Sequence, residues 1–293
     1  MTGFPDKLDR EKMGIIQQLL LFLENCKWGS WALVCLYVSL FSGIIVGIQY
    51  QPSTPYYSSV SIELIVPFGG YFRSLHFYSS QFFFLFSCCH FMFTYTKTDK
   101  YTRKDWLFVA SSLPVTLLLL FTGYILRDDT TGSSAGFIAE NIIQSIPFAG
   151  HALNDLLFSI SSHGMRNVYL HHIISFDLLL LVLLWNHLRR YKTTASGHPL
   201  LLIFMFILPV YLAAPLEPEL PGIEYITGPW FFLGLQELLR YFPPLFAGVI
   251  VPALFLFLFF SLSRDNNYRR QAVYLFFAGL FLYTLLSTIA FLR

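Results

Sequence analysis

The chain has 293 residues, of which 55% are hydrophobic, 18% aromatic and 12% charged, with a formal net charge of +2. A soluble domain carries about 25% charged residues, so these proportions exclude a water-soluble globule and indicate an all-α, polytopic protein of the lipid bilayer. The near-neutral balance provides no polyanion-binding surface, and nucleic acid is not expected as a partner.

The N-terminal stretch MTGFPDKLDREKMGIIQQLLLFLENCKWGS mixes Asp and Glu among its basic residues and has no small-residue cleavage site. A signal peptide is therefore not expected. Residues 15–23 read instead as an amphipathic helix lying on the membrane surface, part of a cytoplasmic-side segment 1–30. A spanning helix needs about 20 apolar residues. Seven candidates follow in order, over 31–50, 75–95, 106–126, 167–188, 199–214, 245–262 and 271–291. The first four form a core over 31–192, and the last three a region over 193–293 that includes a long loop, 214–244. The connections after the second, fourth and sixth spans are short and basic, whereas those after the third and fifth are longer and rich in Gly, Pro, Asp and Glu. Alternating the spans puts 14 of the 19 Lys and Arg residues on the N-terminal side. The positive-inside rule makes that side cytoplasmic, as expected for a bacterial-type inner membrane.

The four cysteines, Cys26, Cys35, Cys88 and Cys89, form no CxxC motif. Neither a disulfide framework nor a zinc site is implied, and Cys35, Cys88 and Cys89 read as small apolar fillers. The histidines are more informative. His76 and His90 lie fourteen residues apart on the second span, which leaves them about 40° apart around the helix and about 21 Å apart along it. His172 and His187, on the fourth span, are fifteen residues apart, about 60° around the helix. His171 lies sixteen residues from His187, on another face unless the helix carries a bulge. Ionisable side chains inside a span are costly and usually functional. For one histidine, a ring bonded to nearby backbone is sufficient explanation. Two pairs at matched spacing on two spans are better explained as axial ligands of two haems at two depths, His76 with His172 and His90 with His187. Iron–iron separation would then be on the order of 20 Å. Arg73 and Arg166 sit at the outer ends of the two spans, where propionates would emerge; the alternative for each is an arginine snorkelling at the interface.

These features resemble the cytochrome b family, the haem b subunits of quinol-oxidising bc and bf complexes. RSLH with a second histidine fourteen residues on is similar to the family's second helix. KWGSWALVCLYVSLFSGIIVGIQY, residues 27–50, resembles its first, with Gly29 and Gly43 at haem-facing positions. GYILRDDTTGSSAGFIAENIIQSIPFAG (123–150), SGHPL (196–200) and GPWFFLGLQELLRYFPP (228–244) resemble later landmarks, so the likeness covers roughly residues 25–245. The resemblance implies a haem-binding four-helix bundle plus three further helices. His76 and His172 would hold the haem nearer the positive side, and His90 and His187 the one nearer the cytoplasm. It further implies two b haems, quinone or quinol as substrate, and a membrane complex, usually dimeric. Its partner would be a Rieske-type iron–sulfur protein or a c-type or multihaem cytochrome.

The chain also departs from the family. The arginine three residues after the second ligand is replaced by Phe93, so the inner propionates need another partner, with Lys97 or a backbone group as candidates. The outer-loop motif PWGQ is replaced by Arg127-Asp128-Asp129-Thr130. PEWY is replaced by Gly228-Pro229-Trp230-Phe231, with proline where the family has its proton-accepting glutamate. Quinol oxidation releases protons that some base must receive. Asp128, Asp129 and Glu237 are the leading candidates, with Glu140 and Glu224 nearby. The competing reading of DDTTG is a turn that caps a helix, and of Glu237 a loop or helix-dipole carboxylate. Trp230 and Phe231 belong to the expected outer quinone pocket. His198, with Lys27, Arg190 and Lys192, belongs to an inner one, or His198 is a surface histidine at a helix start. Cys26 is one residue away from the family's attachment position for an extra c-type haem, which falls on Lys27; it is carried only as a candidate for a third haem. Two functions follow. One is transmembrane electron transfer through two b haems in a quinol:acceptor oxidoreductase. The other is a dihaem, quinone-reactive anchor exchanging electrons with a periplasmic multihaem cytochrome or iron–sulfur protein, without ordinary bifurcation. A transporter with intramembrane histidines is the reading from another class.

Overall fold

A computed structural model of the protein describes residues 14–96, 101–218, 226–263 and 267–293, and these contain helices and no strand. In chain order, α1 is Ile15–Asn25, α2 Trp28–Gln49, α3 Pro55–Leu64, α4 Gly69–Thr94 and α5 Arg103–Ile125. They are followed by α6 Thr130–Gln144, α7 Gly150–Leu157, α8 Ile160–His163 and α9 Arg166–Arg190. The last four are α10 Pro199–Tyr211, α11 Leu233–Leu239, α12 Phe246–Phe260 and α13 Arg269–Phe291. Each of the seven expected spans falls on a helix, namely α2, α4, α5, α9, α10, α12 and α13. Of these, α2, α5, α9 and α13 are long and apolar enough by themselves to cross a membrane. α4 is longer, at 26 residues, but its apolar run is interrupted by arginine, histidine, serine and glutamine.

Two boundaries differ from the sequence expectation. α4 begins at Gly69, six residues before the expected start, because a tight corner joins it to α3. Phe68 takes a left-handed backbone there, with φ 59°. A Cβ on Gly69 would lie 2.0 Å from the Ile62 carbonyl oxygen, so only glycine allows the two backbones to approach this closely. α10 ends at Tyr211, earlier than expected, where Leu212 turns extended after Pro209. Elsewhere the local chemistry is direct. Pro55 and Pro199 open α3 and α10, where a missing N–H costs nothing. Thr102 caps α5 by accepting from the Asp105 amide at 3.1 Å. α1 leaves Ile15, Ile16, Leu19 and Phe22 exposed, the apolar side chains of a surface-lying helix.

The first four spans, α2, α4, α5 and α9, form the bundle. A core of Leu33, Leu36, Phe83, Val115, Leu180 and Leu184 fills its centre, closed on one side by Met205 of α10. A second core, with Tyr50, Ile125, Phe158, Met165 and Val168, joins the outer ends of the spans to the surface helices. There Glu140 of α6 is buried and accepts from Asn154, from the Ser161 amide and from the Ser161 hydroxyl, so it ties α6, α7 and α8 together. A third core, around Trp106, Phe259 and Phe276, attaches α12 and α13 to α5.

Candidate functional site: two imidazole pairs

The bundle brings the four histidines together two by two. The rings of His76 and His172 have centroids 6.1 Å apart at 89°, and those of His90 and His187 are 6.0 Å apart at 63°. Metal–imidazole bonds of about 2 Å on each side of one metal ion, plus roughly 1 Å from nitrogen to ring centre, give about 6 Å between rings. Both pairs therefore have the separation of two axial ligands facing a shared metal.

The unequal spacings resolve in α9. Residues His171–Phe176 form a π-helical turn inside it. Such a turn accommodates one extra residue, so fifteen residues on α9 match fourteen on α4. His171 turns away: its Nε2 lies 2.8 Å from the Leu156 carbonyl and its Nδ1 3.0 Å from the Ser175 hydroxyl.

Three of the rings are oriented from behind. His76 Nδ1 donates to the Ser39 carbonyl at 2.9 Å, because a carbonyl oxygen only accepts. Thr122 uses its hydroxyl proton on the Leu118 carbonyl, so its oxygen accepts from His172 Nδ1 at 3.0 Å. His187 Nδ1 meets the Tyr101 hydroxyl at 2.8 Å. The first two bonds fix the tautomer that leaves Nε2 with a free lone pair, as a metal ligand requires; the Tyr101 hydroxyl can take either role, and accepts when His187 carries its proton on Nδ1. Tyr101 lies outside the span; burial, and after it the neighbouring Tyr191 hydroxyl, push its phenol up to about 12.

Glycines make room for the rings. A Cβ on Gly29 would lie 2.9 Å from His90 Cε1, one on Gly43 2.8 Å from His76 Cε1, and one on Gly123 3.0 Å from His172 Cε1. Gly29 and Gly43 are thus cradles for the histidines themselves. Gly123 was not singled out from the sequence, because it is the only such glycine on α5 and no spacing marks it.

Around the outer pair lies a cavity of about 440 Å³, within the usual range for a bound cofactor, about 300–1,000 Å³. Arg73 and Arg127 both line it. Arg73 pairs with Glu63 at 2.6 Å and donates to the carbonyls of Ala214 and Pro215. Arg127 stacks on Tyr124 at 4.2 Å and pairs with Asp129 at 3.2 Å. Arg166 is exposed and is not part of the cavity wall; Arg127 stands at the rim instead. Among the described residues the only carboxylate on the wall is Asp177. The sequence signal for it was a lone acid in an apolar span.

The expected proton acceptors lie elsewhere. Asp129 is fully buried and caps α6: one oxygen accepts from the Gly132 amide at 2.8 Å and the other from the Glu217 amide at 3.0 Å. The DDTTG turn thus has the helix-capping form. Burial, and then the Asp129 charge, push the Glu217 carboxyl up, against the pull of Arg127. Asp128 takes a left-handed backbone, φ 50°, beside it. Glu237 is buried on α11, 2.9 Å from Arg293, with the Tyr241 hydroxyl at 3.3 Å. Phe231 is buried on the cavity wall, and the exposed Trp230 donates to Gln81 at 2.8 Å. His198 is half-buried at the start of α10, Lys27, Arg190 and Lys192 are exposed, and Cys26 sits at the break between α1 and α2, bonded to the Phe22 carbonyl. Glu224 and Lys97 lie outside the described residues.

A helical membrane bundle that opposes imidazoles at two depths has the architecture of a membrane haem protein. The profile of the cytochrome b/b6/petB family matches residues 21–194, which include all four paired histidines, and the chain belongs to that family of haem-carrying, quinone-linked transmembrane electron-transport proteins. It is 23% identical over 283 residues to a cytochrome b of Bugula neritina, covering 82% of this chain and 75% of the relative. It is 25% identical over 180 residues to a cytochrome b6 of Heliomicrobium gestii, covering 59% and 84%. A solved structure described as a hyperthermophilic respiratory Complex III shares the fold, with TM-score 0.64 at 20% identity over 90% of this chain and 88% of that one.

Proposed function

We propose that the chain carries electrons across the membrane through two b haems, as the cytochrome b subunit of a quinol:acceptor oxidoreductase. His76 and His172 hold the outer haem, and His90 and His187 the inner. The observation that carries this reading is the pair of ring separations, 6.1 and 6.0 Å, each beside a glycine with no room for a Cβ. Haem, when bound, supplies the one-electron redox centre. The chain supplies the rest. Ser39, Thr122 and Tyr101 hold the ligand rings in one tautomer. Gly29, Gly43 and Gly123 let them approach the backbone, and the central core keeps water from the space between the pairs. Arg73 and Arg127 are the cations available to the outer propionates. In this reading residues 31–192 are the dihaem core, 193–293 a three-helix C-terminal region with the outer loop 214–244, and the N-terminus is cytoplasmic in a bacterial-type inner membrane. The subunit works as a homodimer in a larger complex.

One set of observations favours the second reading, a dihaem anchor serving a multihaem cytochrome or iron–sulfur protein without ordinary bifurcation. Proline replaces the loop glutamate, Asp129 is committed to a cap, and Glu237 is paired with Arg293. None of these carboxylates faces the cavity.

A pyridine haemochrome spectrum with haem-to-protein stoichiometry tests the central claim. Two b haems per chain are expected. A third, covalently held haem would assign Cys26 as its attachment, and no haem in gently extracted native membranes would overturn the reading. Copurification of a Rieske protein or of a multihaem cytochrome separates the two functions.

A further inference from the structure

Asp177 sits inside α9, five residues beyond His172, on the wall of the outer cavity. The π-helical turn between them lengthens the helical repeat to about 4.4 residues, so five residues bring Asp177 back to the face that carries His172. Among the described residues no group hydrogen-bonds or ion-pairs with its carboxylate. The other titratable or charged groups on the wall are accounted for by element: α2 contributes Tyr50, α4 Arg73 and His76, α5 and the turn after it Tyr124 and Arg127, and α9 itself Tyr169 and His172. Both cations are already paired, Arg73 with Glu63 and Arg127 with Asp129. The described residues therefore leave Asp177 without a counter-charge at membrane depth, where an uncompensated carboxylate is costly.

We propose that Asp177 is a proton-binding site tied to the redox state of the outer haem. The proposal rests on the haem assignment above. An oxidised bis-imidazole haem carries one net positive charge on its iron–porphyrin core, and that charge is the counter-ion Asp177 lacks. One electron from quinol, reaching a haem held there, would cancel it. Asp177 then takes up one proton from the outer aqueous side, so electron and proton enter together and the local charge is conserved. When the electron passes to the inner haem, Asp177 releases the proton. Beside the inner pair the nearest described carboxylate is Asp105, which shares a small pocket with His187 and is held in the N-terminal cap of α5 with Thr102, so the coupling through Asp177 belongs to the outer haem.

The test is a potentiometric titration of both haems at several pH values, in the native complex. The outer component is assigned as the one lost in His172→Ala. In the wild type, at fixed potential, the reduced-to-oxidised ratio of the outer haem is expected to fall up to tenfold per pH unit, which is 59 mV for one electron. The inner haem is the internal comparison, and its response to pH is expected to be unchanged by substitutions at Asp177. Asp177→Asn is expected to flatten the outer haem, and Asp177→Glu to restore the slope. A wild-type outer haem whose potential ignores pH overturns the proposal without any variant, as does an undiminished slope in Asp177→Asn. Absence of haem would instead overturn the assignment on which the proposal stands.

Discussion

Replacing Gly43 with alanine tests the glycine cradle most sharply. The added Cβ would lie 2.8 Å from His76 Cε1 and 2.9 Å from Nδ1, whereas carbon atoms settle at about 3.5–4.0 Å. The ring must retreat by roughly 1 Å, but it is held from behind by its 2.9 Å bond to the Ser39 carbonyl. Overpacking of this kind costs about 1–3 kcal/mol, and losing the hydrogen bond adds about 1 kcal/mol. Together they should misplace an axial ligand enough to empty the outer site. Gly47, one turn along α2, is the internal control: a Cβ there meets only the Tyr169 hydroxyl, at 3.9 Å. The assay is haem stoichiometry on purified protein. Gly43→Ala should retain one haem, the inner, and Gly47→Ala both. Two normal haems in Gly43→Ala would refute the cradle.

Three further outcomes follow from the same geometry. His172→Ala should lose the outer haem while His171→Ala retains it, as read from the haem spectrum, because His171 is turned toward Leu156 and Ser175. Tyr101→Phe removes the acceptor on His187 Nδ1 and should raise the inner midpoint potential by on the order of 40 mV, corresponding to one hydrogen bond of about 1 kcal/mol; an unchanged potential would remove Tyr101 from the site. Asp129→Ala should lower thermal stability in detergent by about 2 kcal/mol, since it uncaps α6 and removes the ion-pair partner of the part-buried Arg127. A variant as stable as the parent would contradict that role.

The histidine ladder was legible because helical geometry is rigid. His76 and His90 declare a shared face by spacing alone, and the fourteen residues between Gly29 and Gly43 repeat that interval on the helix packed against them. The spacing of His172 and His187 could not be read so directly, because periodicity assumes a uniform α-helix and the π-helical turn absorbs the extra residue. Arg127 and Arg166 show a different limit. Both lie near the ends of spans, and only the fold decides that the turn after α5 reaches the cavity while the start of α9 points away. Asp129 was ambiguous for a chemical reason, since the composition that makes a helix cap is also the composition of an acidic pair. Tyr101 and Thr122 had no sequence signal, because a hydroxyl becomes a histidine's partner only when distant segments meet.

The apolar layer between the two imidazole pairs has a consequence of its own. Leu33, Leu36, Phe83, Val115, Leu180 and Leu184 form an apolar septum, part of it the inner wall of the outer cavity, which ions cannot cross cheaply. Moving one charge through the full membrane field requires about 2.3 kcal/mol per 100 mV. In the proposed dihaem function, an electron stepping from the outer to the inner site would do part of that work, and the septum would keep ions from flowing back to discharge it. The bundle core therefore behaves as the dielectric of a small capacitor, with the two imidazole pairs as its plates.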